Sequence, residues 1–166
     1  MIRCDSSMQI IYDILKELGI PYIEHHHPAV FTCEEADEYY KNIPGGHSKN
    51  LFLRNRKGHR HYLVVVQAHK TVDLKALAHT LNESKLGFAS PERMKKYLGV
   101  TPGSVTPLGL INDVNHEVIV LIDQDLWNFD RLHYHPLVNT STLELSRDDF
   151  KKFLDSRGNE VRFMKL

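Results

Sequence analysis

Lys49-Asn50-Leu51-Phe52-Leu53-Arg54, Asn55-Arg56-Lys57-Gly58 and Tyr62-Leu63-Val64-Val65-Val66-Gln67 form the stretch that decides the fold. Its outer parts are apolar runs of strand length, and the middle is a polar, glycine-bearing turn. The pattern predicts a β-hairpin over Leu51–Arg54 and Tyr62–Gln67.

Working outward, Ile10, Ile11, Ile14, Leu15 and Leu18 recur at helical spacing before Gly19 and Pro21, which predicts an amphipathic first helix capped by Ser6 or Ser7. Pro21–Glu24 reads as extended. Thr32-x-x-Glu35 has the form of a capping box and predicts a second helix from Cys33 towards Tyr40. Pro44-Gly45-Gly46 interrupts the chain. Downstream, Asp73 opens a helix with Leu74, Leu77, Ala78 and Leu81 on one face, and Leu86–Ala89 reads as a short strand. Ser90-Pro91-Glu92 opens a helix that Gly99 closes. Val100–Gly109 reads as a loop, Glu117–Asp123 as a buried strand and Thr140–Leu145 as another. Ser146-x-x-Asp149 starts a last helix carrying Phe150, Phe153 and Leu154, with a final edge strand over Glu160–Met164. Strands follow one another without strict βαβ alternation. The expected architecture is therefore α+β: a single domain over residues 1–166, with a mixed, mainly antiparallel sheet flanked by helices.

The bulk composition sets limits. A chain of 166 residues, 42% hydrophobic and 25% charged, suits one globular domain. Lys plus Arg and Asp plus Glu are 21 each, so the net charge is zero and bulk charge does not hold the chain on nucleic acid. The two cysteines, Cys4 and Cys33, have neither zinc-knuckle nor C-x-x-C spacing, and the ordinary reading is reduced thiols. The N-terminus lacks the apolar core of a signal peptide, and no run approaches the ~20 apolar residues of a membrane span. A soluble, cytoplasmic protein is expected, with no cofactor.

Several side chains can carry chemistry. Lys49 is ordinarily a solvated strand-end lysine, but as a point charge it would bind a carbonyl, phosphate or ribose oxygen. Asn50 offers both a donor and an acceptor, and in a regular strand it points away from Lys49. Gly103-Ser104-Val105-Thr106-Pro107 is ordinarily a surface turn. Alternatively, Gly103 permits close backbone approach, Pro107 fixes the exit, and the amides of Ser104, Val105 and Thr106 meet a developing oxyanion. Ser104 has no Gly-x-Ser-x-Gly surroundings, which argues against a serine nucleophile. His133 and His135 alternate on an extended stretch. His135 can bind substrate, orient water or relay a proton, with Pro136 stiffening its backbone and Asn139 nearby. The histidine clusters 25–27, 59/61 and 133/135 raise a metal reading, but no H-E-x-x-H or Cys–His signature accompanies them, and no metal is expected. Arg54, Arg56, Lys57, His59 and Arg60 crowd the hairpin turn, and Arg93, Lys95 and Lys96 sit on the helix leading to the glycine–proline loop. Each group is ordinarily a solvated face, and each can instead meet phosphates.

The stretches His27-Pro28-Ala29-Val30-Phe31-Thr32, Lys49–Leu53, Leu98–Pro107 and His135-Pro136-Leu137-Val138-Asn139, taken together, resemble the YbaK/prolyl-tRNA-synthetase-associated family of aminoacyl-tRNA deacylases, in particular its free-standing Ala-tRNA(Pro) group. The resemblance covers about His27 to Leu154 and includes no synthetase catalytic or anticodon-binding region. It implies trans-acting hydrolysis of the ester of mischarged Ala-tRNA(Pro). Lys49 and Asn50 would hold the aminoacyl end, Gly103–Pro107 would cradle the carbonyl, His135 would line the pocket, and Val30, Phe31 and Thr32 would form a wall limiting side-chain size. The attacking water would be aided by the tRNA's terminal ribose hydroxyl. The implied partner is the tRNA(Pro) acceptor end, with prolyl-tRNA synthetase or an elongation factor as transient partners. The alternatives are a Cys-tRNA(Pro) deacylase of the same fold and a non-catalytic module binding tRNA or synthetase.

Overall fold

The computed structural model describes residues 6–29, 38, 41, 43 and 45–166, with the side chains of Ser6 and Ser7 outside that set. The expected helix from Cys33 and the wall residues Val30, Phe31 and Thr32 lie outside the described residues.

Helix α1 (Ser6–Glu17) and strand β1 (Ile23–His26) lead to the hairpin β2 (Ser48–Asn55) and β3 (His61–Gln67). Next come α2 (Leu74–Thr80), β4 (Leu86–Phe88), α3 (Pro91–Leu98) and a 3-10 helix (Pro107–Asn112). Strand β5 (Val118–Asp123), a second 3-10 turn (Gln124–Asn128), β6 (Arg131–Tyr134), β7 (Ser141–Ser146), α4 (Arg147–Arg157) and β8 (Val161–Met164) complete the chain.

The strands make a five-stranded sheet in the order β4-β2-β3-β5-β8 and a three-stranded sheet in the order β1-β7-β6, where one mixed sheet was expected. Pairs β4–β2, β2–β3, β1–β7 and β7–β6 are antiparallel, while β3–β5 and β5–β8 are parallel. The apolar run of β3 has a direct cause. Leu63 and Val65 join the main core with Phe52, Val120, Leu143 and Phe150, while Tyr62, Val64 and Val66 join a second core with Leu77, Ala78 and Leu81 of α2. A strand covered on both faces carries no polar alternation.

The caps follow the sequence. Asp73 accepts from the Lys75 and Ala76 amides, Ser90 from Arg93 and Ser146 from Asp149. The expected loop ends early: Pro107 is the first residue of the 3-10 helix, and the Thr106 hydroxyl accepts from the Leu108 amide at 3.3 Å. Gly46 joins the sheets. The Gly46 amide donates to Arg131 O at 2.8 Å, and Gly46 makes a parallel bridge to Leu132. A Cβ at Gly46 would stand 2.8 Å from the Phe129 ring, so only glycine lets the start of β2 lie this close to β6.

Candidate active site

β2 is regular from its first residue, pairing Ser48 with Gln67, Lys49 with Val66 and Asn50 with Val65. The pleat puts Ser48, Asn50 and Phe52 on one side and Lys49, Leu51 and Leu53 on the other. Phe52 accordingly lies in the main core, while Leu51 and Leu53 pack with α2. Asn50, not Lys49, therefore faces the cavity at the junction of the two sheets. Lys49 is half-buried and makes no hydrogen bond or ion pair among the described residues.

The cavity is small, about 70 Å³. His47, Ser48 and Asn50 form one side; His133, Tyr134 and His135, with Thr142 of β7, form the other. Asn50 is held at both ends of its amide: Ser48 Oγ donates to Oδ1 at 3.4 Å, and Nδ2 donates to Val105 O at 3.1 Å. That second bond ties the cavity to the glycine–proline loop.

His135 follows β6. Its Nδ1 lies 3.0 Å from Ser141 O. A carbonyl only accepts, so Nδ1 carries the proton and Nε2 is the accepting nitrogen. Burial lowers the His135 pKa, with His27 pulling the same way and the Ser141 bond opposing, so the ring is neutral at physiological pH. His27 Nε2 meets Thr142 Oγ1 at 2.8 Å, and the His27 and His135 rings stand 6.2 Å apart. Burial raises the Tyr134 pKa against a lesser pull from Ser48, which keeps the phenol protonated.

The other wall is braced. His133 Nδ1 donates to Gly46 O at 3.2 Å, and its ring stacks on His47 at 4.6 Å. Burial, then His47, lowers the His133 pKa to about 4. Glu144 accepts from Arg131 Nε at 2.9 Å and lies 3.1 Å from His25 Nε2. Burial raises its pKa, but these two partners outweigh that and the net shift is downward. The histidines are thus distributed among separate partners. Among the described residues, no group of three or more His, Cys, Asp or Glu is placed to hold a metal.

The loop's donors are fewer than the sequence implied. The Ser104 amide is spent on Thr101 O at 3.0 Å, and Ser104 itself is buried. The Val105 and Thr106 amides donate to no partner among the described residues. Gly103, at φ +89°, is exposed and turns the chain into this segment. The Thr106 hydroxyl and Pro107 belong to the start of the 3-10 helix, so both shape the loop from beneath. Asn50 and His135 thus line one cavity; the loop reaches it only through the Val105 carbonyl bonded to Asn50, and neither Lys49 nor any residue of 103–107 lines it.

Sequence reasoning missed His47, Ser48, Tyr134 and Thr142. Ser48 was within reach, because period-two alternation from Asn50 puts it on the same face. Thr142 was not, because its place depends on β7 pairing with β1 opposite His25, across more than a hundred residues.

The chain is similar to known proteins over most of its length. The model of the aminoacyl-tRNA editing domain matches residues 27–153. The chain is 38% identical to the prolyl-tRNA editing protein ProX of Acetoanaerobium sticklandii, over 95% of this chain and 96% of the relative. It is 37% identical to prolyl-tRNA synthetase associated domain-containing protein 1 of Xenopus laevis, over 88% and 89%. A solved structure described as a candidate trans-editing enzyme for prolyl tRNA synthetase superposes with a TM-score of 0.71 at 22% identity, covering 98% of each chain, and so shares the fold. With its family model spanning the cavity residues and the loop alike, the chain belongs to the aminoacyl-tRNA editing domain family.

Proposed function

We propose that the protein is a trans-editing aminoacyl-tRNA deacylase that hydrolyses the ester of mischarged Ala-tRNA(Pro). One observation carries this reading: a cavity of about 70 Å³ brings Asn50 and a neutral His135 together, with Asn50 bonded to the Val105 carbonyl of the adjoining loop. So small a cavity suits a small acyl side chain. The discrimination matters because each methylene is worth only about 1–3 kcal/mol to a synthetase pocket, so a second, smaller site completes the selection.

In the proposed reaction, water attacks the ester carbonyl. The negative charge that develops on its oxygen is assigned to the Val105 and Thr106 amides, which have no other partner among the described residues. His135 Nε2 accepts a hydrogen bond from the water and orients it, assisted by the terminal ribose hydroxyl. Collapse breaks the acyl C–O bond, and the departing ribose oxygen takes up the proton. No protein nucleophile is needed: Ser104 is buried, and the Thr106 hydroxyl caps the 3-10 helix. Lys49, on the other face of β2, binds the phosphate of the RNA's terminal nucleotide as a point charge. Val30, Phe31 and Thr32 complete the wall. The partner is the tRNA(Pro) acceptor end, with prolyl-tRNA synthetase or an elongation factor met transiently, and the work takes place in the cytoplasm.

Purified protein given labelled Ala-tRNA(Pro) and Cys-tRNA(Pro) tests the reading. Faster release of alanine is expected. Preferred release of cysteine would identify the related deacylase instead. Tight tRNA binding with neither ester cleaved would make the protein a binding module. Chelation is expected to leave the rate unchanged, and a loss of rate restored by added metal would contradict this chemistry.

A further inference from the structure

Beyond the cavity, at the other end of β2, the structure collects positive charge that the reaction does not use. Some of the basic residues there have structural work. Arg60 pairs with Glu83 at 3.0 Å. Arg93 donates to Gly58 O at 3.1 Å and lies 2.9 Å from His61 Nε2, tying the hairpin turn to α3. Arg54, Arg56, Lys57 and Lys85 make no ion pair among the described residues. Two guanidiniums crowd Gly58: a Cβ there would stand 2.7 Å from Arg93 Nη2 and 3.2 Å from Arg54 Nη1. Glu83 pairs directly only with Arg60, so the remaining like charges repel one another, and a polyanion relieves that cost.

Beside them, Arg54, Arg56, Lys85, Gly87 and Phe88 line a recess of about 400 Å³. Phe88, on the short outer strand β4, is 63% exposed. Unpaired cations beside a bare aromatic ring are what a nucleic acid engages, phosphates on the charges and a base on the ring. Arg54 shares Asn50's face of β2 and lies four residues further on, about 13 Å. Phe52 between them is buried in the main core, and Phe88, paired with Leu53, projects from the other face, so an RNA spanning cavity and recess runs around the β4 edge of the sheet.

We infer that this recess docks the sugar–phosphate backbone of the substrate RNA, with Arg54, Arg56 and Lys85 neutralising phosphates and Phe88 providing a stacking platform. The identity of the RNA rests on the deacylase reading, whereas the docking itself does not.

Binding of fluorescently labelled, deacylated tRNA(Pro) as a function of KCl concentration tests the inference. The R56E/K85E variant is expected to bind at least tenfold more weakly near 0.1 M salt, with the slope of log affinity against log salt reduced by roughly 1.5–2, as the loss of two phosphate contacts requires. Phe88→Ala is expected to weaken binding at least fivefold. The charge-retaining R56K/K85R variant should stay within threefold of the parent, which separates charge from folding. Equal affinity and slope in the parent and R56E/K85E overturns the inference. So does a Phe88→Ala variant that turns a sedimenting dimer into a monomer with unchanged RNA affinity, because that outcome assigns the face to a second copy of the chain. Hydrolysis of a 3′-alanyl-adenosine ester, too short to reach the recess, should be equal in the parent and R56E/K85E. Failure of the parent on that ester and on Ala-tRNA(Pro) removes the deacylase reading and leaves the binding result standing on its own.

Discussion

At the residue scale, His135 and Lys49 have different proposed tasks, and each task has its own kinetic signature. Lys49→Ala is expected to raise KM about tenfold while leaving the saturated rate within threefold, because the lysine touches RNA and not the carbonyl. A collapse of the saturated rate would put Lys49 back at the reacting atoms. In the proposed reaction His135 works as a neutral acceptor. Protonation would occupy Nε2, and burial holds its pKa below the ordinary value. The acid limb of the pH–rate profile is therefore expected below about pH 6.5, and a limb above that value would contradict the assigned state. The sequence made the polar residues of this site legible as types but not as directions. Lys49 and Asn50 are adjacent, and only the unbroken register of β2 decides which of them faces the cavity. His135 was readable, but its tautomer was not, because that depends on the Ser141 carbonyl across a turn.

At the element scale, the segment from α3 to the 3-10 helix determines where the Val105 and Thr106 amides stand. Helix α3 ends at Gly99, and Asn112 Nδ2 reaches back to Leu98 O at 2.9 Å, clamping the segment between them. Gly109 lies so close that a Cβ would stand 2.7 Å from Leu98 O. Gly109→Ala must push the 3-10 helix off α3. It is expected to cost on the order of 1–3 kcal/mol in a denaturant titration and to reduce the deacylation rate as the loop shifts; unchanged stability would show the contact to be slack. The caps of α2, α3 and α4 were legible because capping is local: Asp73, Ser90 and Ser146 each bond an amide two or three residues ahead. The 3-10 helix was hidden. Two prolines and two glycines over Val100–Gly109 read as a loop, and nothing local shows that Leu108 and Leu110 are buried against α3 and the main core.

At the scale of the whole molecule, two sheets meet where the cavity lies, and buried histidines brace their junction and the hairpin. His133, between the sheets, and His61, between Phe52 and Tyr97, both have pKa values lowered to about 4, burial being the largest cause for each. Both are depressed below the unfolded value of about 6.5, so the unfolded chain binds more protons between the two values. Stability is therefore fully present above about pH 6.5 and is lost as the pH falls towards 4. The melting temperature is expected to drop over that window, and His61→Phe to flatten the drop; a melting temperature constant from pH 7 to 4.5 would contradict the burial argument. The division into two sheets was not legible. The 44–46 break announces a turn, but only the Gly46 bridge to Leu132 shows that the chain there passes from one sheet to the other.

Single-turnover hydrolysis of Ala-tRNA(Pro) at saturating enzyme, comparing the parent with Asn50→Ala and His135→Ala, tests the site most directly. The account expects each variant to slow the chemical step by about a hundredfold or more, in the range seen when oriented polar groups are removed, with tRNA affinity and melting temperature nearly unchanged. Folded variants that cleave the ester at the parental rate would mean that the chemistry takes place elsewhere.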